Sequence, residues 1–328
     1  MTPMTTLYLD RRDLSLKLEG QALAIYADGA RQGTVPMHML QSIVMRSAVT
    51  LQSSLLARLA EAGIGIAAFG GRGGSKLALV HGRSHNDGAR RVGQLRRYED
   101  LPWRLAWSRR LVRGKLRRQH RLLTRAAAQR ADLRHPLSKA LAQLQQALLR
   151  AASDDVADID SLRGVEGAAA AAYFGAYTRL FPDALQFTGR NRRPPRDPVN
   201  AALSLGYTLL HHEAVRACYG AGLDPIIGYY HALDFGRDSL ASDLIEPLRP
   251  GIDAWVRDQF HERVLRADHF GRDGEACLLG KTGRQRFYAL FEGHIRPQRR
   301  LLRRLTGKLA AELAAVGGQL VQHPGEPA

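Results

Sequence analysis

The chain has 328 residues, of which 45% are hydrophobic, and it carries a formal net charge of +17 with a pI near 10.6. This length admits two domains, and the hydrophobic content excludes a chain that is disordered throughout. The excess of positive charge favours a polyanionic partner, with nucleic acid as the first candidate and an anionic membrane surface as the second.

Residues 1–92 are predicted to form a β-rich domain. Short apolar or alternating runs, separated by turn signals, lie at residues 7–9, 14–18, 22–26, 42–45, 65–69 and 77–80. One helix is expected to interrupt these strands. It should start at Ser53 or Ser54 as the N-cap, run to Ala62 and stop at Gly63.

Residues 93–318 are predicted to form a larger all-α domain, because helical periodicity dominates from Leu101 onward. Helices are expected over residues 104–130, 137–152, 164–180, 199–219, 239–265 and 284–316. Pro247 and Pro250 should interrupt the fifth helix, and Pro297 should mark a further break or helix start. Residues 319–328 are predicted to be a flexible tail, so the fold class is α+β with two domains.

The positive charge is concentrated in the predicted helical part. Residues 90–134 contain fifteen Lys or Arg and only three acidic residues, and residues 296–308 contain six basic residues and no acid. Such runs suit contacts with phosphates that do not depend on sequence. Trp103 and Trp107 lie within the first run, where core packing is favoured over stacking on bases.

The cysteine content and the chain start indicate a cytoplasmic protein. Cys218 and Cys277 lie far apart and form no CxxC pair, which argues against a structural zinc site or a disulfide framework. Residues 1–12 contain no apolar run of a signal peptide, and the weakly polar stretch 167–177 is too short to span a membrane. A soluble protein without a membrane partner is expected.

Glu166 is the first candidate site residue. It is the single acid of an alanine-rich helical segment, 164–170, where a buried carboxylate would require a cation. On this segment alone, a surface glutamate stabilised by the helix macrodipole is the favoured alternative.

A proline-containing loop is predicted to lead into a helix at Asp197, which is a good N-cap, with Pro198 as the first helical residue. Arginines just before a helix N-terminus attract phosphate, although such clusters are more often solvated loops. The candidate DNA-binding residues are Arg190, Arg192, Arg193 and Arg196, together with Arg249 further along the chain.

His231, Asp243 and Glu246 form the third candidate group. His231 ends an apolar run, while Asp243 and Glu246 are three residues apart on a predicted helix and share one face. Together with Glu166, these side chains suit Mg²⁺ or Mn²⁺, which accept carboxylate, imidazole and water. Taken singly, His231 is more simply interpreted as a hydrogen-bonded core histidine. Asp243 and Glu246 are more simply interpreted as part of a solvated helix face.

Three ordered motifs carry a family resemblance. They are Pro-Pro-x-Asp-Pro-Val-Asn-Ala-x-Leu-Ser-x-Gly-Tyr from Pro194, Gly-Leu-Asp-Pro-x-Ile-Gly-x-x-His from Gly222, and Ser-Leu-Ala-x-Asp-Leu-x-Glu-Pro-x-Arg-Pro from Ser239. With the upstream Gly-Val-Glu-Gly, they resemble the CRISPR-associated integrase of spacer acquisition, the large metal-dependent subunit of the adaptation complex. The resemblance is close from about Arg163 to Pro250.

The resemblance implies a site, a fold and partners. Glu166, His231 and Glu246 fall on the family's metal ligands, and Asp243 falls on its nearby active-site carboxylate. The implied fold is an N-terminal β-sandwich, through which the chain forms a homodimer, and a C-terminal helical domain. The implied partners are double-stranded DNA and a small ferredoxin-like protein. The implied reaction is attack by a DNA 3′-hydroxyl on a repeat-end phosphodiester, with cleavage as the version driven by water.

The residues leave two alternative functions open. A stand-alone repair nuclease for branched DNA would use the same metal site with water as the nucleophile. A DNA-binding scaffold without catalysis would fold independently of metal and transfer no strand.

Overall fold

The structure is a computed structural model that describes residues 5–70, 76–80, 85, 87–191 and 194–321. It divides into two compact units, one of residues 1–86 with 288–293 and one of residues 87–287 with 294–328. Within the described residues, no helix is long and apolar enough to cross a membrane. Most of the predicted tail, from residue 322 onward, lies outside the described part of the chain.

The first unit contains two four-stranded sheets and one helix. In the first sheet the order is β1-β5-β7-β8, with β1, β5 and β7 parallel and β8 antiparallel to β7. In the second the order is β4-β3-β2-β6, antiparallel except for the β2–β6 pair. The elements are β1 Thr5–Leu9, β2 Leu14–Glu19, β3 Ala22–Ala27, β4 Ala30–Pro36, β5 Leu40–Met45, β6 Val49–Leu51, α1 Ser53–Glu61, β7 Gly65–Gly70 and β8 Lys76–Val80.

One apolar core joins the two sheets to α1. Leu14 and Leu16 of β2 lie in this core with Ile43 of β5 and Leu59 of α1, since alternate strand residues face the same side. The predicted strands are present, and Gly63 adopts the left-handed backbone expected of a helix stop. The predicted serine cap is wrong, because the N-cap is Gln52 and its side chain makes no capping hydrogen bond.

The second unit is mainly helical, and the α+β fold class with two domains is confirmed. Its helices lie close to the predicted ranges, with one more basic helix before them. They are α2 Gly88–Glu99, α3 Leu101–Gln129, α4 Arg134–Arg150, α5 Ile159–Tyr177, α6 Pro198–Gly220, α7 Ser239–Ile245, α8 Arg249–His261 and α9 Lys281–Val321. Residues 288–293 of α9 group with the first unit.

Two features of the second unit differ from the sequence predictions. Pro297 was expected to break a helix or start one, but α9 continues through it, so one backbone hydrogen bond is lost within a 41-residue helix. A hairpin of β9 Phe270–Asp273 and β10 Ala276–Leu279 was not predicted. Its strands have only four residues each, which is too short for a clear alternation of apolar and polar positions.

Candidate active site

Two of the predicted carboxylates converge on one lysine. Glu166 lies on α5, Glu246 follows directly after α7, and Lys115 lies near the middle of α3. The Lys115 Nζ atom is 2.5 Å from Oε1 of Glu166 and 2.6 Å from Oε2 of Glu246. Both glutamates therefore share a single positive charge.

Glu246 is the more deeply enclosed of the two glutamates. Its side chain is 9% exposed, and its Oε1 lies 2.8 Å from Nε of Arg249. Burial alone would raise the pKa of Glu246, but Arg249 and Lys115 outweigh burial and lower it to about 2. Burial likewise lowers the pKa of Lys115, and the two glutamates reverse that effect and raise it. Glu246 and Lys115 are therefore both ionised at neutral pH.

His231 and Asp243 form a second, adjoining pair. Asp243 lies on α7 and is 0% exposed, and its Oδ1 is 2.6 Å from Nδ1 of His231. Backbone N–H groups of the preceding loop also donate to this carboxylate, from Tyr229 and Tyr230 to Oδ2 at 2.7 and 3.0 Å and from His231 to Oδ1 at 2.9 Å. With the carboxylate oxygen accepting, Nδ1 donates, and in the neutral imidazole Nε2 is then the nitrogen with the free lone pair.

The loop that carries His231 is fixed on several sides. Gly228 has no room for a side chain, because a Cβ there would lie 2.5 Å from the backbone carbon of Ser239 at the start of α7. Trp103 and Trp107 of α3 pack edge-on against the Tyr229 ring, as expected for core aromatics. Arg163 Nη2 donates to the Tyr230 carbonyl at 2.5 Å. The imidazole is therefore presented from a rigid backbone.

A buried polar cluster lies behind Arg249. The Arg249 guanidinium is 4.8 Å from the centre of the Tyr207 ring, and the Tyr207 hydroxyl donates to Asp253. Tyr173 donates to the other oxygen of Asp253 at 2.8 Å, and Asp253 is 1% exposed. Burial raises the pKa of Asp253 to about 6, although both tyrosines donate hydrogen bonds that lower it. The cluster therefore supports Arg249 through the Tyr207 ring.

The Asp253→Asn variant should change how stability depends on pH. The folded protein keeps a proton on Asp253 up to about pH 6, whereas the unfolded chain releases it near pH 4. Stability of the wild type should therefore fall between these values, by up to about 3 kcal/mol relative to the variant. Chemical denaturation of both proteins at pH 4.5 and 7 should show about 2 kcal/mol of this difference, because the remainder develops below pH 4.5. The Asp258→Asn variant on the same helix is the control, and parallel profiles for wild type and Asp253→Asn would contradict the expectation.

The predicted arginine corner is only partly described. Asp197 caps α6 as expected, accepting from the Asn200 N–H at 2.9 Å. Arg190 donates to the Asn200 side chain at 2.7 Å and lies over the Tyr207 ring, so it supports the start of α6. Arg196 is 65% exposed and 3.4 Å from Glu275. Arg192 and Arg193 lie outside the described residues.

The four predicted site residues are thus placed as two pairs. Glu166 and Glu246 share Lys115, and His231 is paired with Asp243. In the described part of the chain, no group of three His, Cys, Asp or Glu side chains is already arranged around a common metal position. These side chains nevertheless suit a bound metal ion. Glu166 and Glu246 already contact one cation, the Lys115 ammonium, and the oriented imidazole of His231 adjoins them. Lys115 was not predicted as a site residue, although it is the only lysine among the fifteen basic residues of 90–134.

Comparison with known proteins gives concordant matches across both units. The family model described as CRISPR associated protein Cas1 matches residues 7–293. A CRISPR-associated endonuclease Cas1 of Thermodesulfovibrio yellowstonii is 36% identical over 302 residues, which cover 92% of this chain and 94% of that protein. Another from Thermus thermophilus is 34% identical over 322 residues, covering 96% and 92%.

Solved structures share the fold. A CAS1 protein from Thermotoga maritima superposes with a TM-score of 0.81 at 25% identity, covering 94% of this chain and 97% of that chain. A casposase bound to its integration product superposes with a TM-score of 0.80 at 20% identity, covering 95% and 91%. A chain of a Cas6-RT-Cas1–Cas2 complex matches with a TM-score of 0.81 at 22% identity, covering 96% of this chain and 35% of that one.

Proposed function

The chain belongs to the Cas1 family of CRISPR-associated proteins, and we propose on that basis that it is a DNA endonuclease and integrase of CRISPR adaptation. It inserts spacer DNA into a CRISPR array by attack of a DNA 3′-hydroxyl on a phosphodiester. We assign the catalytic role to the helical domain, residues 93–318, and dimerisation to the β-rich domain, residues 1–92.

One observation supports the assignment of the site: Glu166 and Glu246, from separate helical segments, both contact the ammonium group of Lys115. Glu166, Glu246 and Nε2 of His231 would hold Mg²⁺ or Mn²⁺. A bound ion of this kind stabilises charge on the phosphate and activates an attacking hydroxyl. Arg249 keeps Glu246 ionised and oriented through its 2.8 Å ion pair.

Asp243 acts through His231 as a positioning residue. All its described hydrogen bonds run to the loop backbone and to Nδ1 of His231, and its side chain is fully buried. It therefore fixes the orientation and the tautomer of the imidazole, so that Nε2 would be the atom that holds the metal.

An arginine stripe on α3 supports DNA as the substrate. Arg113, Arg117, Arg121 and Arg125 recur every four residues and line a groove with Leu148 of α4. Among the described residues, no carboxylate lies within ion-pair distance of these four arginines, so their charge is available to phosphates. By analogy with the Cas1–Cas2 complex among the similar structures, a small ferredoxin-like partner of the Cas2 type would complete the assembly.

A strand-transfer assay tests this function. It combines a short duplex with free 3′-hydroxyls, a supercoiled plasmid carrying repeats, and Mn²⁺ or Mg²⁺, with and without the small partner. We expect joined products that EDTA abolishes and that fall at least about a hundredfold in the Glu246→Gln variant, because a neutral amide is a weak metal ligand. Glu262→Gln, which changes an exposed glutamate at the end of α8, should retain the activity.

The possible outcomes separate the candidate functions. Cleavage without joining, in the presence of partner and metal, would favour the stand-alone nuclease. Tight DNA binding with neither cleavage nor joining would favour the DNA-binding scaffold without catalysis. Joining that persists in EDTA would remove the metal from the proposal.

A further inference from the structure

Lys115 contacts the same oxygens that a metal ion would use. Its Nζ lies 2.5 and 2.6 Å from one oxygen of each glutamate, and its side chain is only 12% exposed. Mg²⁺ binds carboxylate oxygens at about 2.0–2.1 Å and demands nearly octahedral geometry. An ammonium and a divalent ion cannot both occupy the space between these two oxygens, so a bound ion must displace Lys115.

Displacement of Lys115 needs a new partner for its charge. An ammonium left beside a divalent cation in an enclosed site is unfavourable, because burial and repulsion act together. Arg249 already occupies the other oxygen of Glu246, so no further carboxylate oxygen of that residue is open to Lys115. A DNA phosphate is the anion that the proposed reaction would bring to this place.

The chemistry of lysine supports this partner. Arg113 and Arg117, of the groove that we assign to DNA, lie two residues to either side of Lys115 and therefore project from the opposite face of α3, whereas Lys115 faces the two glutamates. Lysine differs from these arginines in having a compact charge on a flexible stem with three rotatable donors. Lys115 can therefore leave two carboxylates for a phosphate without movement of the helix.

We propose that Lys115 is a displaceable counter-cation that couples metal loading to DNA binding. It holds Glu166 and Glu246 together and competes with the metal until a DNA phosphate accepts its charge. Lys115 is thus a positioning residue that disfavours a loaded metal site without substrate. This inference rests on the proposed function, because it takes the two glutamates as metal ligands.

Lysine labelling of the wild-type full chain tests the displacement directly. An amine-reactive reagent is applied with and without saturating Mn²⁺, and the labelling rate at each lysine is read by mass spectrometry. We expect Lys115 to label at least about fivefold faster with Mn²⁺, while Lys139 on the exposed face of α4 stays unchanged. Unchanged labelling of Lys115, with Mn²⁺ shown by electron paramagnetic resonance to be bound, would overturn the proposal.

Metal affinity tests the coupling. Mn²⁺ binding is measured for wild type, Lys115→Met and the control Lys139→Met, each with and without a short duplex. Without DNA, Lys115→Met should bind Mn²⁺ at least about tenfold more tightly than wild type, and its gain on adding DNA should be smaller. The coupling would be contradicted if Lys115→Met bound Mn²⁺ no more tightly than wild type. It would also be contradicted if DNA raised the Mn²⁺ affinity of Lys115→Met as much as that of wild type.

The readouts separate this inference from the proposed function. Faster labelling of Lys115 with Mn²⁺ but no strand transfer by wild type would overturn the function and support the displacement. Strand transfer by the wild type with an unchanged labelling rate of Lys115 would support the function and overturn the displacement. Labelling uses the unaltered chain, so the inference stays open to refutation even if Lys115→Met folds poorly.

Discussion

Replacing His231 by alanine is expected to reduce strand transfer by about a thousandfold or more, because the variant loses the imidazole that we propose as a metal ligand at the reacting centre. The imidazole is partly exposed, and its Nδ1 contacts Asp243. The backbone N–H of residue 231 continues to donate to the same carboxylate in the variant. The free energy of unfolding should therefore fall by only about 1 kcal/mol.

The His231 prediction is checked by strand-transfer rates and chemical denaturation measured side by side. His261→Ala, which changes an exposed histidine at the end of α8, is the matched control and should behave as wild type. Metal binding provides a readout independent of turnover, and we expect weaker Mn²⁺ affinity in His231→Ala. Strand transfer within about tenfold of wild type would remove His231 from the reacting centre.

Local sequence signals predicted much of the fold. The N-terminus of α6 was predictable because Asp197 and Pro198 act on their own helix through short-range geometry. The β-rich unit was predictable because alternate apolar residues, such as Leu14 and Leu16, face one core. Helix α9 continues through Pro297, where a break or a helix start was expected, because proline removes only one backbone hydrogen bond of this 41-residue helix.

The arrangement of the site could not be predicted in the same way. Lys115 is 51 residues from Glu166 and 131 residues from Glu246, so no periodic pattern connects them. Helical spacing predicted that Asp243 and Glu246 share one face, but it could not reveal that three loop N–H groups converge on Asp243. Those contacts depend on the close approach of Gly228 to α7, which is a property of the packed chain.

This convergence makes Asp243→Asn the substitution with the largest expected effect on stability. Donors face both carboxylate oxygens, two N–H groups at Oδ2 and one N–H plus Nδ1–H at Oδ1. An asparagine amide must therefore point its own NH₂ group at donors in either orientation. Because these groups are buried, we expect a loss of roughly 3–5 kcal/mol in the free energy of unfolding.

The same substitution should disturb the chemistry through His231. Without a carboxylate at Nδ1, the imidazole loses its fixed tautomer, so strand transfer should fall about a hundredfold in the fraction that remains folded. Denaturation and strand-transfer assays at a temperature well below the transition separate the two effects. Asp268→Asn, which alters an exposed ion pair with Arg266, should leave both unchanged. An Asp243→Asn protein with wild-type stability would mean that the loop N–H groups find other acceptors, and that Asp243 does not hold the loop in place.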